Sequence, residues 1–192
     1  VVEIFLDEIE GDEVVLCWKA RTYSSLAFGL VWNGYIDCGV RCLSEAEKIL
    51  DKIDKLRSLA EVEYLRSKAR IERLFGKNVV QILERCLDIL KELKFEDHMA
   101  EFFKPLGGDA KKKFEKRLEE WKSSINYELG LAHFYCIDLD RARRYFEESL
   151  KFCKRFQNKL AVLSYIGRMG VLKNYRFEFE VNGERYDFER LW

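Results

Sequence analysis

From Ser44 onward the apolar residues of this chain return at alternating intervals of three and four positions, a period that specifies amphipathic helices. Ala46, Ile49, Ile53, Leu56 and Ala60 set the rhythm, which continues less regularly through Tyr64, Ile71 and Leu74 to Gly76. Ser44 followed by Glu47 reads as a capping box, in which hydroxyl and carboxylate satisfy free backbone donors at a helix start. Asn78 is placed to cap a further helix carrying Val79, Ile82, Leu83, Cys86, Leu87, Leu90 and Leu93. Pro105 and Gly107-Gly108 break the chain, and Asp109 starts a helix whose stripe is Phe114, Leu118, Trp121, Ile125, Leu129, Ala132 and Cys136.

The two ends follow a period of two instead. Ile4, Leu6, Ile9, Val14, Leu16 and Trp18 flank Gly11-Asp12, which suits a hairpin turn, and the aromatic, glycine-rich stretch from Tyr23 to Val40 suggests further strands around Asn33-Gly34. Near the C-terminus Tyr175, Phe177, Phe179 and Val181 alternate with Arg176, Glu178 and Glu180 up to Asn182-Gly183. A two-residue loop there pairs Phe179 with Tyr186 and Phe177 with Phe188. The expected fold is α+β, predominantly α: an antiparallel helical array with small terminal β-hairpins. Its parts are a β-rich segment over 1–43, a helical body over 44–173, and a C-terminal hairpin over 174–192 packed on the same domain. A chain of 192 residues without a Pro/Ser/Gly-rich linker is expected to bury one main core.

Charged residues make up 35% of the chain yet balance to a formal net charge of +0, so no global field draws it to nucleic acid or membrane. Gln81, Gln157 and Thr22 are the only glutamines and threonine, a bias shared with heat-adapted proteins. The opening Val1-Val2-Glu3 has no basic-then-apolar leader, and no apolar run reaches the roughly 20 residues needed to span a bilayer. The expectation is a soluble, cytoplasmic protein. Cys17, Cys86, Cys136 and Cys153 sit among apolar neighbours as small hydrophobes do, although a disulfide stays open for a chain of thermophilic composition.

Signals for catalysis are sparse. The chain has two histidines. His98 follows Glu96-Asp97 without a second ligand cluster, and His133 falls where packing explains it. Cys38 and Cys42 lack a second Cys/His pair at zinc-ligand spacing. No phosphate-cradling loop, dinucleotide fingerprint or nucleophile elbow occurs. The reading is therefore a chain that is not an enzyme and carries no cofactor and no metal.

One segment carries a more specific signal. Between Ile125 and Phe152, Leu129-Gly130, Ala142 and Phe146 fall at offsets that lock two short antiparallel helices together, with Ser149 as a further small residue and Leu150 in the seam. Over residues 123–169 the chain resembles the tetratricopeptide repeat family, strongest in a hairpin at 123–156. The family's Trp and Tyr are replaced by Asn126 and His133, and its helix-ending Pro by Lys154. One period of about 34 residues onward, Leu160, Leu163, Ser164 and Gly167 begin a second copy that stops after one helix.

The resemblance implies a protein-binding groove lined by Ser124, Tyr127, Leu131, Phe134 and Tyr135, then by Asn158, Ala161, Tyr165, Arg168 and Met169. Rigid aromatics bury much area at little entropic cost, so such a groove suits an extended peptide or an amphipathic helix. The alternative is that another part of the chain fills it. A second surface is basic: Arg141, Arg144, Lys151 and Arg155 recur at helical spacing within 140–159 and could follow phosphates, against Glu147 and Glu148 pairing with them as a solvated face. The function expected is a non-catalytic protein-interaction or assembly module, its partner a protein or a second copy of itself. A nucleic-acid-associated protein is the alternative, and an enzyme without a recognisable motif comes third.

Overall fold

The computed structural model describes residues 11–104, 108–152, 162, 178–181 and 184–187. Asp12 opens the first helix, α1 (Glu13–Trp32), by accepting hydrogen bonds from the backbone of Val14 at 3.0 Å and Val15 at 3.1 Å. That is the work of an N-cap residue, which offsets donors the first turn leaves unpaired. After it come α2 (Ile36–Leu50), α3 (Arg57–Leu74), α4 (Val80–Glu92), α5 (Asp97–Phe103), α6 (Ala110–Tyr135), α7 (Leu139–Phe152) and two strands, β1 (Glu178–Val181) and β2 (Glu184–Asp187).

The α+β class expected from the sequence is overturned. The segment 1–43, expected as β-rich, is helical from Glu13 on, and its anticipated boundary falls inside α2. The alternation of Val14, Leu16 and Trp18 is misleading because the buried stripe of α1 runs through Cys17, Ala20, Arg21, Tyr23, Ser24, Ala27 and Val31. These recur at helical spacing, but most are small or polar, so hydropathy does not mark them. Asn33-Gly34 links two helices, not two strands. The fold is helical, and the two four-residue strands pair antiparallel with each other, Phe179 opposite Tyr186. The turn at Asn182-Gly183 and the expected Phe177–Phe188 pair lie outside the described residues, as do Ile4, Leu6 and Ile9.

The long helix expected from Ser44 to Gly76 is also divided: Ser44 lies inside α2 and caps nothing, and the chain breaks between Leu50 and Arg57. Asn78 and Asp109 do act as expected, Asn78 accepting from Val80 N at 3.0 Å and Asp109 from Lys111 N at 2.9 Å.

The chain divides into two compact units, Val1–Glu115 and Lys116–Trp192. In the first, α1 and α2 form a hairpin in which an added methyl on Gly39 would come within 2.5 Å of Val31 and 2.7 Å of the Ala27 carbonyl. Helix α3 runs parallel to α1. Cys17 Sγ lies 3.8 Å from the Leu56 carbonyl, Arg21 pairs with Glu63 at 3.6 Å, and the Arg70 guanidinium sits 5.2 Å from the centre of the Phe28 ring. Arg21 and Glu63 are both buried, and Glu63 also meets Arg66 at 3.3 Å. Trp18 stacks on Phe102 at 4.5 Å, and the Arg21 guanidinium lies near both rings. A cation kept from water in this way depends on both its counter-ion and its π faces.

In the second unit, α6 and α7 form the hairpin described next, and β1 lies beside α7.

Candidate protein-binding groove

The hairpin of α6 and α7 is assembled from small residues placed opposite large ones. A methyl group on Gly130 would come within 2.5 Å of the Phe146 ring, so the missing side chain is the space that Phe146 fills. Ala142 and Phe146 are completely buried and join Leu131, Leu150 and Val162 in one apolar cluster. A buried aromatic ring of this kind contributes several kcal/mol, about 3–5 on truncation to alanine.

The seam also carries a polar clasp. Ser149 Oγ donates to the Ser123 carbonyl at 2.7 Å and Ser123 Oγ to the Ser149 carbonyl at 3.1 Å, both within the buried interface.

The turn between the helices is a Schellman motif. Asp138 N donates to the His133 carbonyl and Ile137 N to the Phe134 carbonyl, each at 3.0 Å. Asp138 at once begins α7: its Oδ1 accepts from Arg141 N at 3.3 Å and its carbonyl from Ala142 N at 3.0 Å. The Asp138 Oδ2 stands 3.5 Å from Arg141 Nε and 3.5 Å from His133 Nδ1. His133 is buried, with its ring stacked on Tyr145 at 5.3 Å. Packing and turn geometry thus account for this histidine.

Residues expected to line a groove on α6 take up different positions. Leu131 is part of the buried cluster; Tyr127 and Phe134 are half-buried against it, Tyr127 tilted on Phe146 at 5.9 Å. Tyr135, set edge-on to Phe134 at 5.7 Å, is 63% exposed. Val162 belongs to the same buried cluster as Leu131. The face therefore presents Tyr135 fully and only parts of Tyr127 and Phe134. Tyr165 and Arg168 lie outside the described residues.

On the basic helix, Arg141 meets Asp138, Arg143 meets Glu147 at 2.7 Å, and Lys151 meets Glu148, so cations and anions alternate along the surface. Arg144 is exposed, and Arg155 lies outside the described residues. Exposed pairs of this type contribute little to stability, but they shorten the reach of the positive field.

Elsewhere, burial pushes the Cys17 and Cys86 thiols up to about 12, and burial together with a hydrogen bond to Glu47 raises the Tyr64 hydroxyl well above its ordinary value. A thiol held protonated is a poor nucleophile. Among the described residues no three His, Cys, Asp or Glu side chains converge to hold a metal ion, and no helix is long and apolar enough to cross a membrane. Cys42 is buried and Cys38 takes a contact from Arg41 at 3.4 Å. The side chain of His98 is outside the described set.

Sequence reasoning missed the serine clasp, although a serine at two seam positions was the available signal. It also missed the exposed aromatic residues beside Asn33-Gly34, having assigned that stretch to strands. No protein-family model matches the chain, nor does any curated protein or solved structure.

Proposed function

We propose that this chain is a non-catalytic, cytoplasmic interaction module that binds a peptide or an amphipathic helix along a tetratricopeptide-like face of α6. The observation that carries the reading is the exposed Tyr135 beside half-buried Phe134 and Tyr127, held on a hairpin stiffened by the Gly130–Phe146 contact. An aromatic anchor on a rigid support loses little entropy on binding, and such anchors commonly dominate interface energetics. The alternation of charges along α7 supports a protein partner over a polyanion, because acidic neighbours oppose a phosphate backbone.

The test is affinity capture of the tagged chain and of its Tyr135→Ala variant from native lysate, with and without nuclease. A stoichiometric protein that withstands nuclease and is lost with Tyr135→Ala supports the reading. Retained nucleic acid, or partners released by nuclease, overturns it in favour of the basic helix. For an isolated partner, Tyr135→Ala should weaken binding by about 2 kcal/mol, roughly thirtyfold.

A further inference from the structure

The first unit exposes more apolar surface at one end than its core requires. Trp32 is 67% and Tyr35 62% exposed, and Ile36, Val40, Leu74 and Phe75 are each exposed to about half their area. The parallel packing of α1 on α3 gathers them. Contacts step along both helices from Cys17–Leu56 through Arg21–Glu63 to Phe28–Arg70, and one further turn brings Trp32 level with Leu74. Trp32 itself lies 6.0 Å from Phe28, ring to ring. The tight turn after α1 sets Tyr35 and Ile36 beside Trp32, and Val40 follows one turn along α2.

Two properties of this end select its occupant. The first is area. Trp32, Tyr35 and Phe75 carry roughly 150–250 Å² each and the aliphatic Ile36, Val40 and Leu74 somewhat less, so the six at their exposures present on the order of 600 Å². That is at or above the largest patch on an ordinary monomer, about 300–600 Å². Two such faces pressed together would bury about 1,200 Å², the lower bound for a stable specific interface. The second is charge. Asp37 and Arg41 stand exposed on α2 beside the patch, and Glu72, Arg73 and Lys77 adjoin Leu74 and Phe75, with Glu72 4.0 Å from Lys77. A rim of mixed sign is self-complementary under a two-fold rotation, whereas an acidic peptide or an anionic lipid surface would meet Asp37 and Glu72 interspersed with Arg41, Arg73 and Lys77 and so find no single-sign field to bind.

We infer that this end of the first unit is a self-association surface, through which two copies of the chain pair about a two-fold axis. It uses none of the residues of the α6 face proposed for the partner, so either can fail alone.

Sedimentation equilibrium on the full chain over a wide concentration range tests the inference. Wild type should show a monomer–dimer equilibrium. Trp32→Lys, and independently Val40→Lys on the other helix, should weaken it about thirtyfold or more while the helical circular dichroism and melting are retained. Because both side chains are exposed, at least one variant keeps the fold, and that variant decides. A wild-type chain that stays monomeric throughout overturns the inference. So does a dimer indifferent to the folded variant, or a monomer that binds vesicles containing anionic lipid.

Discussion

Ser123 and Ser149, on facing helices and 26 positions apart, each donate a hydroxyl proton to the other's main-chain carbonyl. The pair ties α6 to α7 at the same level in both directions. Removing either hydroxyl breaks a bond and strips a buried carbonyl of its extra donor, so Ser123→Ala or Ser149→Ala should each cost about 1 kcal/mol. Urea denaturation of the two single variants and the double variant forms the decisive cycle. The double variant should lose less than the sum of the singles, and strict additivity would show that the hydroxyls act independently.

Two glycines in neighbouring helices should respond oppositely to alanine. Gly29, within α1, has nothing within 4 Å of an added methyl, so Gly29→Ala should stabilise by about 0.5–1 kcal/mol through helix propensity. Gly39 faces Val31 and the Ala27 carbonyl, and Gly39→Ala should destabilise by about 1–3 kcal/mol through forced separation of α1 and α2. Thermal melts read both, and equal signs would contradict the close approach of these helices.

Three helices end in the same hydrogen-bonded motif, but with different residues at the left-handed position. Gly34 and Gly76 occupy it after α1 and α3, whereas after α6 it is Ile137, at φ 63°. A β-branched side chain in that conformation carries about 1–2 kcal/mol of strain. Its side chain is 82% exposed and gives little back in packing. Ile137→Gly should therefore raise stability by about 1 kcal/mol, measured by chemical denaturation. A lower midpoint in that variant would mean that Ile137 makes a compensating contact.

The buried thiols predict alkaline sensitivity. In the native chain Cys17 and Cys86 lie at about 12, above the ordinary 9.0. Below pH 9 both native and unfolded thiols hold their protons, and the stabilisation is complete. As pH rises from 9 toward 12, the unfolded chain releases protons that the native chain keeps, so stability falls. Melting temperature should drop across that window, and less steeply in a Cys17→Ala/Cys86→Ala variant. An aromatic disulfide reagent should modify exposed Cys136 in the native protein but reach Cys17 and Cys86 only on unfolding.

The helices of the second half were legible because large apolar side chains recur through them at helical spacing, although Ser123, Asn126, Glu128, His133 and Ser149 are buried as well and Cys136, read as part of the apolar stripe, is exposed. Phe114, Trp121, Ile125 and Leu129 are all buried, as that stripe requires. α1 was not legible because its inward face is built from Cys17, Ala20, Ser24, Ala27 and the ion-paired Arg21, whose burial depends on contacts with α2 and α3 that no local window contains. The break between α2 and α3 was hidden for a related reason. Ile53 and Leu56 are buried and preserve the apolar rhythm across the interruption, while the backbone there is held by Glu13, which accepts from Asp54 N and Leu56 N at 2.8 Å each. At the candidate groove, residue type and helix face were readable, but how far each side chain is covered was not. Leu131 and Tyr135 are one turn apart in sequence, yet only the first is sealed by the cluster that includes Val162.

Asp138 closes one helix and opens the next with the same residue, leaving the α6–α7 junction no slack. Each residue added to a helix turns everything beyond it by about 100°. A single insertion or deletion at 136–138 would thus put the hairpin out of phase, carrying Phe146 away from Gly130 and Ser149 away from Ser123. In this junction chain length is as tightly specified as any side chain in the core, and length variants there should behave as core mutants do.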